Sequence, residues 1–214
     1  MTPLEQFVDG HVLVINLNRR NDRWKEFEAE MEMLGIDHYT RFDAYDGPIN
    51  DGRPSGNMGC TASHRAVLEI IAWSKWPRCL VFEDDVQLRR EFLPDWKQRF
   101  IEMVRDVPPD MDILYLGGHY ADRPISRVSP NVIRCGRMHT TSSYIITQEA
   151  ARRMAPYISG VGPIDVLFSG FAEKQHHYIF QPRLFIQRPS FSDLLEQNCN
   201  NKWAMEDGRH EAMV

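Results

Sequence analysis

The chain has 214 residues, 43% hydrophobic and 26% charged, which is ordinary for a globular protein and long enough for one α/β domain with a sizeable core. A formal net charge of −5 excludes a polycationic surface, so nucleic acid is a poor partner, although Arg19, Arg20, Arg23 and Lys25 leave room for a local basic patch. Four widely spaced cysteines with no CxxC pair argue against a zinc knuckle and a disulfide framework, and no apolar run reaches the roughly eighteen residues of a membrane span.

The N-terminus, MTPLEQFVDG, is polar and lacks a signal core, so the expectation is a soluble cytoplasmic protein with at most peripheral membrane contact. Residues 11–17 (HVLVINL) read as a first buried strand. Asn21 is placed as N-cap of a helix over 22–34, with Trp24, Phe27, Met31 and Leu34 on one face and Gly35 as its C-cap. Residues 39–45 (YTRFDAY) supply a second strand, and the strand–helix–strand order implies a parallel pair. Residues 46–59 carry four glycines and two prolines and read as a long loop. A helix is expected to begin near Cys60 or Thr61, burying Val67, Leu68, Ile71 and Ala72 and ending at Trp76-Pro77.

Residues 79–86 (CLVFEDDV) form the most informative stretch: an apolar run leading into three carboxylates. Mutual repulsion among these acids is offset by a divalent cation with oxygen ligands or by a raised pKa; the alternative is a solvated acidic turn. Strict alternation would put Glu83 and Asp85 on one side and Asp84 on the other. Beyond it, residues 91–104 read as a helix with Phe92, Trp96, Phe100 and Met103 on one face, and Pro94 in its first turn. Strands follow at 111–116, 131–134 and 143–147, then helices at 148–157 and 164–170, then extended structure over 178–186 broken by Pro182. There is no repeat and no linker. The domain reading is a catalytic unit over 1–195 and a C-terminal tail over 196–214.

Several pieces carry candidate chemistry. In an open parallel sheet, ligands bind beyond the carboxyl ends of the strands, which puts Asn16, Arg19, Arg20 and Arg23 in position to meet a nucleotide, or else on a solvated helix start. Residues 59–64 (GCTASH) open a helix whose first N–H groups can receive an anion, with Ser63 and His64 adding hydrogen bonds. Gly117 and Gly118 follow a strand and permit close approach of a bulky ligand. Asp165 either presents a carboxylate to a cleft or caps the next helix. No Walker A sequence is present.

The segments VINLNRRNDRW (14–24), GCTASH (59–64), VFEDDV (81–86), SSYIIT (142–147) and PIDVLF (163–168) occur in one order across roughly residues 12–195. Together they resemble glycosyltransferase family 25, the group that includes lipooligosaccharide and collagen galactosyltransferases. The resemblance implies an α/β GT-A fold, a single Rossmann-like domain with a mostly parallel central sheet flanked by helices. It implies metal-dependent, inverting transfer of a hexose, galactose or glucose, from a UDP-sugar to a glycan, glycolipid or glycoprotein acceptor, as in lipopolysaccharide or other glycan biosynthesis. On this resemblance Glu83 and Asp85 hold Mn²⁺ or Mg²⁺, and Asp84 lies near the ribose or sugar. Asn16, Leu17, Arg20, Arg23, Ser63, His64, Gly117 and Gly118 face the donor, and Asp165 is the general base. A further metal ligand is expected among His176, Gln187, Ser190 and Ser192. The alternatives are a nucleotidyltransferase acting on sugar phosphates and an inactive nucleotide-sugar-binding module.

Overall fold

A computed structural model describes residues 1–47, 49–50, 53–121, 124–158, 162–192 and 197–200. Its centre is an eight-stranded sheet built from β1 (Val12–Asn16), β2 (Thr40–Asp43), β3 (Arg78–Glu83), β4 (Ile113–Tyr115), β5 (Ser126–Arg127), β6 (Val132–Arg134), β7 (Ser143–Thr147) and β8 (His177–Phe180). The order across the sheet is β2-β1-β3-β7-β4-β8-β6-β5. β1 runs parallel to β2 and β3, and β4 parallel to β8. β7 is inserted antiparallel between β3 and β4, and β6 is antiparallel to β8 and β5. Only β7 and β6 therefore run against the other six, and the expected mostly parallel α/β sheet is what forms.

Alternation along the strands divides the core in two. Val12, Val14, Leu80 and Phe82 pack with Phe27, Met31 and Leu34 of helix α2 (Asn21–Leu34) and with Trp96, Phe100 and Met103 of α4 (Trp96–Val104). Leu13, Ile15, Cys79 and Val81 face the other way, against Val67, Leu68, Ile71 and Ala72 of α3 (Gly56–Trp73) and Ala150, Ala151 and Met154 of α5 (Gln148–Met154). Two faces of buried aliphatic residues explain why these strands read as continuous apolar runs. Because the two series end on Asn16 and Glu83, the last residue of each strand inherits a face. Asn16 looks toward α2 and Glu83 toward α3.

Several sequence expectations shift. Asn21 is the first residue of α2, not its cap; Arg20 occupies the cap position without a side-chain hydrogen bond, while Gly35 ends the helix in the left-handed region as expected. Helix α3 begins at Gly56, four residues before Cys60, so the GCTASH segment lies inside the helix rather than at its amino end. The helix expected over 91–104 breaks into a short 3-10 turn at Arg90–Phe92 and α4, with Pro94 between them. Elements without a clear sequence signal include the N-terminal helix α1 (Pro3–Phe7), strand β5, a ribbon pairing His119–Tyr120 with Met138–His139, and another pairing Ile49–Asn50 with Arg53–Pro54 inside the expected loop. Strand Gln197–Cys199 pairs with Ser190–Ser192, and residues 201–214 of the expected tail lie outside the described residues. Among the described residues, no helix is long and apolar enough to cross a membrane.

Candidate active site at the carboxyl edge of the sheet

The carboxyl ends of β1, β3 and β4 meet the amino end of the antiparallel β7 at one edge. Register fixes this: Ile15 is opposite Glu83, Ser143 is opposite Phe82, and the Glu83 N–H donates to the Ser142 carbonyl at 2.9 Å. Every charged group singled out at the strand tips sits here.

The three carboxylates divide unequally. Extended backbone stops at Glu83, and Asp84 and Asp85 form a turn before the short strand Val86–Leu88. The alternation expected from sequence therefore fails at Asp85. Arg23 on α2 reaches both turn acids, Nη1 to Asp84 Oδ1 at 2.7 Å and Nη2 to Asp85 Oδ2 at 2.6 Å. Glu83 instead faces α3, where Oε1 lies 3.2 Å from His64 Nε2 and accepts from the Thr141 hydroxyl at 2.7 Å.

Electrostatics follow the partners. Burial pushes Glu83 upward, but hydrogen bonds from His64 and Thr141 and the fields of His64 and Arg23 outweigh it, leaving its pKa below the usual value. For Asp84 burial wins over Arg23 and the Asn16 amide, and its pKa is raised. Asp85 is pushed up to about 7, chiefly by burial, with repulsion from Glu83 and Asp84 adding to it and Arg23 and Gln187 opposing. The second oxygen of Asp85, Oδ1, is buried and accepts no hydrogen bond. A buried, unpartnered carboxylate oxygen beside a second carboxylate suits a hard divalent cation. Asp85 is thus fit to hold one, oxygen donors favouring Mn²⁺ or Mg²⁺ over softer ions, whereas the expected partner ligand, Glu83, is turned toward α3.

The nucleotide-side residues are organised around Asn16. Its side-chain amide donates to Asp84 Oδ2 at 2.5 Å and its oxygen accepts from Arg41 Nη2 at 2.6 Å. Arg20 is held by a forked pair with Asp22 and still adds to the positive field on Asp84. Leu17 closes the turn, its carbonyl accepting from the Arg20 N–H at 2.8 Å.

Four expected donor contacts turn out to be packing devices. Ser63 is fully buried: its hydroxyl donates to the Gly59 carbonyl and accepts from the Tyr45 N–H at 2.9 Å. His64 is fully buried too, with Nε2 against Glu83 and Thr141 and Nδ1 3.0 Å from the Tyr144 hydroxyl. A Cβ on Gly117 would lie 2.3 Å from the Phe185 carbonyl oxygen, so the missing side chain makes room for a neighbouring strand, not for a ligand. Gly118 has φ +124° and its carbonyl accepts from the buried Arg183. Gly59 follows the same logic, because a Cβ there would meet the Tyr45 carbonyl oxygen at 2.3 Å. With Thr61 donating to the Gly162 carbonyl at 2.7 Å, GCTASH is a hub that ties two loops to α3.

Asp165 sits in the first turn of α6 (Ile164–Ser169); Pro163, not Asp165, is the cap. Its Oδ2 accepts from the Thr140 N–H at 3.3 Å and lies 3.5 Å from His139 Nδ1. Asp165 is linked to the strand-tip acids by consecutive residues, the Thr140 N–H donating to Asp165 and the Thr141 hydroxyl to Glu83. Thr140 holds φ +68°, an uncommon backbone for a β-branched residue, at the point where it meets Asp165.

Of the expected further ligands, Gln187 is adjacent, donating from Nε2 to Asp85 Oδ2 at 3.1 Å. His176 is not: it pairs with Asp110 at 2.7 Å, at the amino end of β4 on the opposite edge. The side chains of Ser190 and Ser192 lie outside the described residues. Sequence reasoning missed Thr141, Tyr144, Arg41 and His139. Only the hydroxyl-rich run TTSS at 140–143, leading into β7, was a visible signal.

Residues 9–168 match the family profile described as glycosyltransferase family 25 (LPS biosynthesis protein). A putative glycosyltransferase of Acanthamoeba polyphaga mimivirus is 27% identical over 122 residues, covering 50% of this chain and 36% of that protein. A protein of Bos taurus named as a probable inactive glycosyltransferase 25 family member 3 is 24% identical, covering 81% of this chain and 31% of its own length. A glycosyltransferase 25 family member of Anopheles gambiae is 25% identical, covering 71% and 29%. The chain thus spans about a third of the length of the curated relatives it matches. Among solved structures, a glycosyltransferase involved in glycosylation of the major capsid of PBCV-1 superposes with a TM-score of 0.51 at 10% identity, covering 87% of this chain and 95% of that one, which bears on fold alone.

Proposed function

Because the chain belongs to glycosyltransferase family 25, we propose that it transfers a hexose from a UDP-sugar, with inversion, to a hydroxyl of a glycan, glycolipid or glycoprotein. The observation that carries this reading is the buried, unpartnered Asp85 Oδ1 in the acidic turn at the carboxyl edge of the sheet, where Arg23 holds Asp84 and Asp85 together. Mn²⁺ or Mg²⁺ on Glu83 and Asp85 supplies, when bound, positive charge for a departing diphosphate.

The chain's own residues account for the rest. Asn16 fixes Asp84 through its amide and Arg41 through its oxygen, so the wall facing the nucleotide is rigid before any ligand arrives. Arg20 and Arg23 supply fixed positive charge on the α2 side of the acids. Asp165, half-buried, takes the proton of the acceptor hydroxyl as that oxygen bonds to the anomeric carbon. The bond from the same carbon to the diphosphate oxygen breaks on the opposite face, and the nucleoside diphosphate leaves with the electron pair. His139, beside Asp165, orients the base.

One observation favours a second reading. Arg23 engages both Asp84 and Asp85, as a protein that keeps the fold without the chemistry also could. Incubation with Mn²⁺ and a panel of nucleotide sugars separates the two. The transferase reading expects slow hydrolysis of one donor, released as nucleoside diphosphate and free sugar. Binding of a donor with no hydrolysis, and no transfer to any acceptor hydroxyl offered, would support the inactive module.

A further inference from the structure

We propose a second metal site, on the α3 side of the strand tip, in which Cys60, His64 and Glu83 bind one Zn²⁺. One ligand atom from each residue lies within 4.8 Å of the other two. Tetrahedral zinc with sulfur, nitrogen and oxygen ligands needs separations of about 3.3–3.7 Å, so a small rotation of the thiol or carboxylate closes the set. Cys60 and His64 are four residues apart on α3 and share a face of the helix. Glu83 comes from the end of β3, with Oε1 3.2 Å from His64 Nε2.

The groups that orient these side chains are already in place. His64 is fully buried, and the Tyr144 hydroxyl, 3.0 Å from Nδ1, holds the ring so that Nε2 points at Glu83 and Cys60. Tyr144 is itself fully buried. A metal-bound histidine almost always has its other nitrogen anchored in this way. Zinc on Nε2 requires the proton on Nδ1, donated to the tyrosine oxygen. The single proton of the neutral imidazole then sits on Nδ1, and the thiol proton of Cys60 goes to solvent as the metal binds. Thr141 Oγ1, 2.7 Å from Glu83 Oε1 and 3.5 Å from His64 Nε2, supplies a further hydrogen bond at the rim. Cys60 and Glu83 are both partly exposed, which gives the ion a way in and leaves a fourth position open to solvent.

The ligand chemistry separates this site from the donor site. Thiolate and imidazole select borderline-soft ions such as Zn²⁺, whereas the oxygens around Asp85 suit Mn²⁺ or Mg²⁺. The two sites share only Glu83, whose Oε1 faces His64. The zinc site goes beyond the transferase reading and does not depend on it.

Cobalt is the probe. Co²⁺ added to the reduced protein should give a near-ultraviolet thiolate-to-cobalt charge-transfer band that saturates at one equivalent and disappears on adding Zn²⁺. Asp85→Asn should keep the band and Cys60→Ser should lose it. In the unmutated protein, Zn²⁺ should slow alkylation of one thiol at least about tenfold, and peptide mass spectrometry should identify it as Cys60, a readout that needs no variant to fold. A wild-type protein without the band, a band that persists in Cys60→Ser, or protection of a different cysteine would each overturn the site. Mn²⁺-dependent UDP binding by Cys60→Ser should match wild type, so failure of the zinc site leaves the donor site standing.

Discussion

Arg23 carries the electrostatic burden of the strand tip. Its guanidinium is largely buried and pairs with two carboxylates, each about 5% exposed. Replacing it with methionine leaves both acids in a poorly solvated pocket, and breaking such a pair costs about 3–5 kcal/mol. Arg23→Met should therefore lower the unfolding free energy by that amount in urea denaturation, and a loss under about 1 kcal/mol would show the pair to be solvated. Asp165 has the opposite character. It is half-buried and its partners are a backbone N–H and His139, so Asp165→Asn preserves size and should leave stability and donor binding nearly unchanged. Turnover should fall at least about a hundredfold, the lower range for losing an acid–base group. Near-normal transfer by that variant removes Asp165 from the chemistry.

At the scale of elements, the periodic parts of the chain were legible and the tertiary exceptions were not. Strands β1 and β3, helix α2 and the buried face of α3 follow from apolar spacing alone, since each meets one of two cores. The same spacing could not reveal that α3 starts at Gly56, because residues 56–59 carry no apolar period and form helix where Gly59 packs against the 45–47 backbone. Paired glycines at 117 and 118 signalled close approach correctly but not by what: the intruder is the Phe185 carbonyl of a strand nearly seventy residues later. Gly117→Ala should therefore destabilise the fold by ~1–3 kcal/mol through overpacking, measured by denaturant unfolding. If that variant is as stable as wild type but binds donor poorly, the glycine serves the ligand after all. Alternation was expected to put Glu83 and Asp85 on one side, but the turn at Asp84 and Asp85 ends the extended backbone at Glu83.

For the molecule as a whole, stability and function sit at different places and respond oppositely to pH. Glu5 is fully buried, and it accepts from the backbone N–H groups of Asp37 and His38 and from Thr2, tying α1 to the chain beyond α2. Burial pulls its pKa up but these hydrogen bonds bring it down to about 2, from 4.5 when unfolded. Its contribution, about 3 kcal/mol, is complete above pH 4.5 and is lost as pH falls toward 2. Unfolding free energy should drop over that window and the slope should shrink in Glu5→Gln; an unchanged slope contradicts the assignment. Asp85 runs the other way: its pKa is raised from 3.8 to about 7, so its contribution is present below 3.8 and lost as pH rises through 7. Burial therefore disfavours the charged form of Asp85 as pH rises toward 7. That makes isothermal titration of UDP, with and without Mn²⁺, on wild type and Asp85→Asn the most direct measurement. The account predicts that Mn²⁺ tightens UDP binding to wild type at least about tenfold and has no effect on the variant, and equal Mn²⁺-dependent affinity for the two proteins would contradict it.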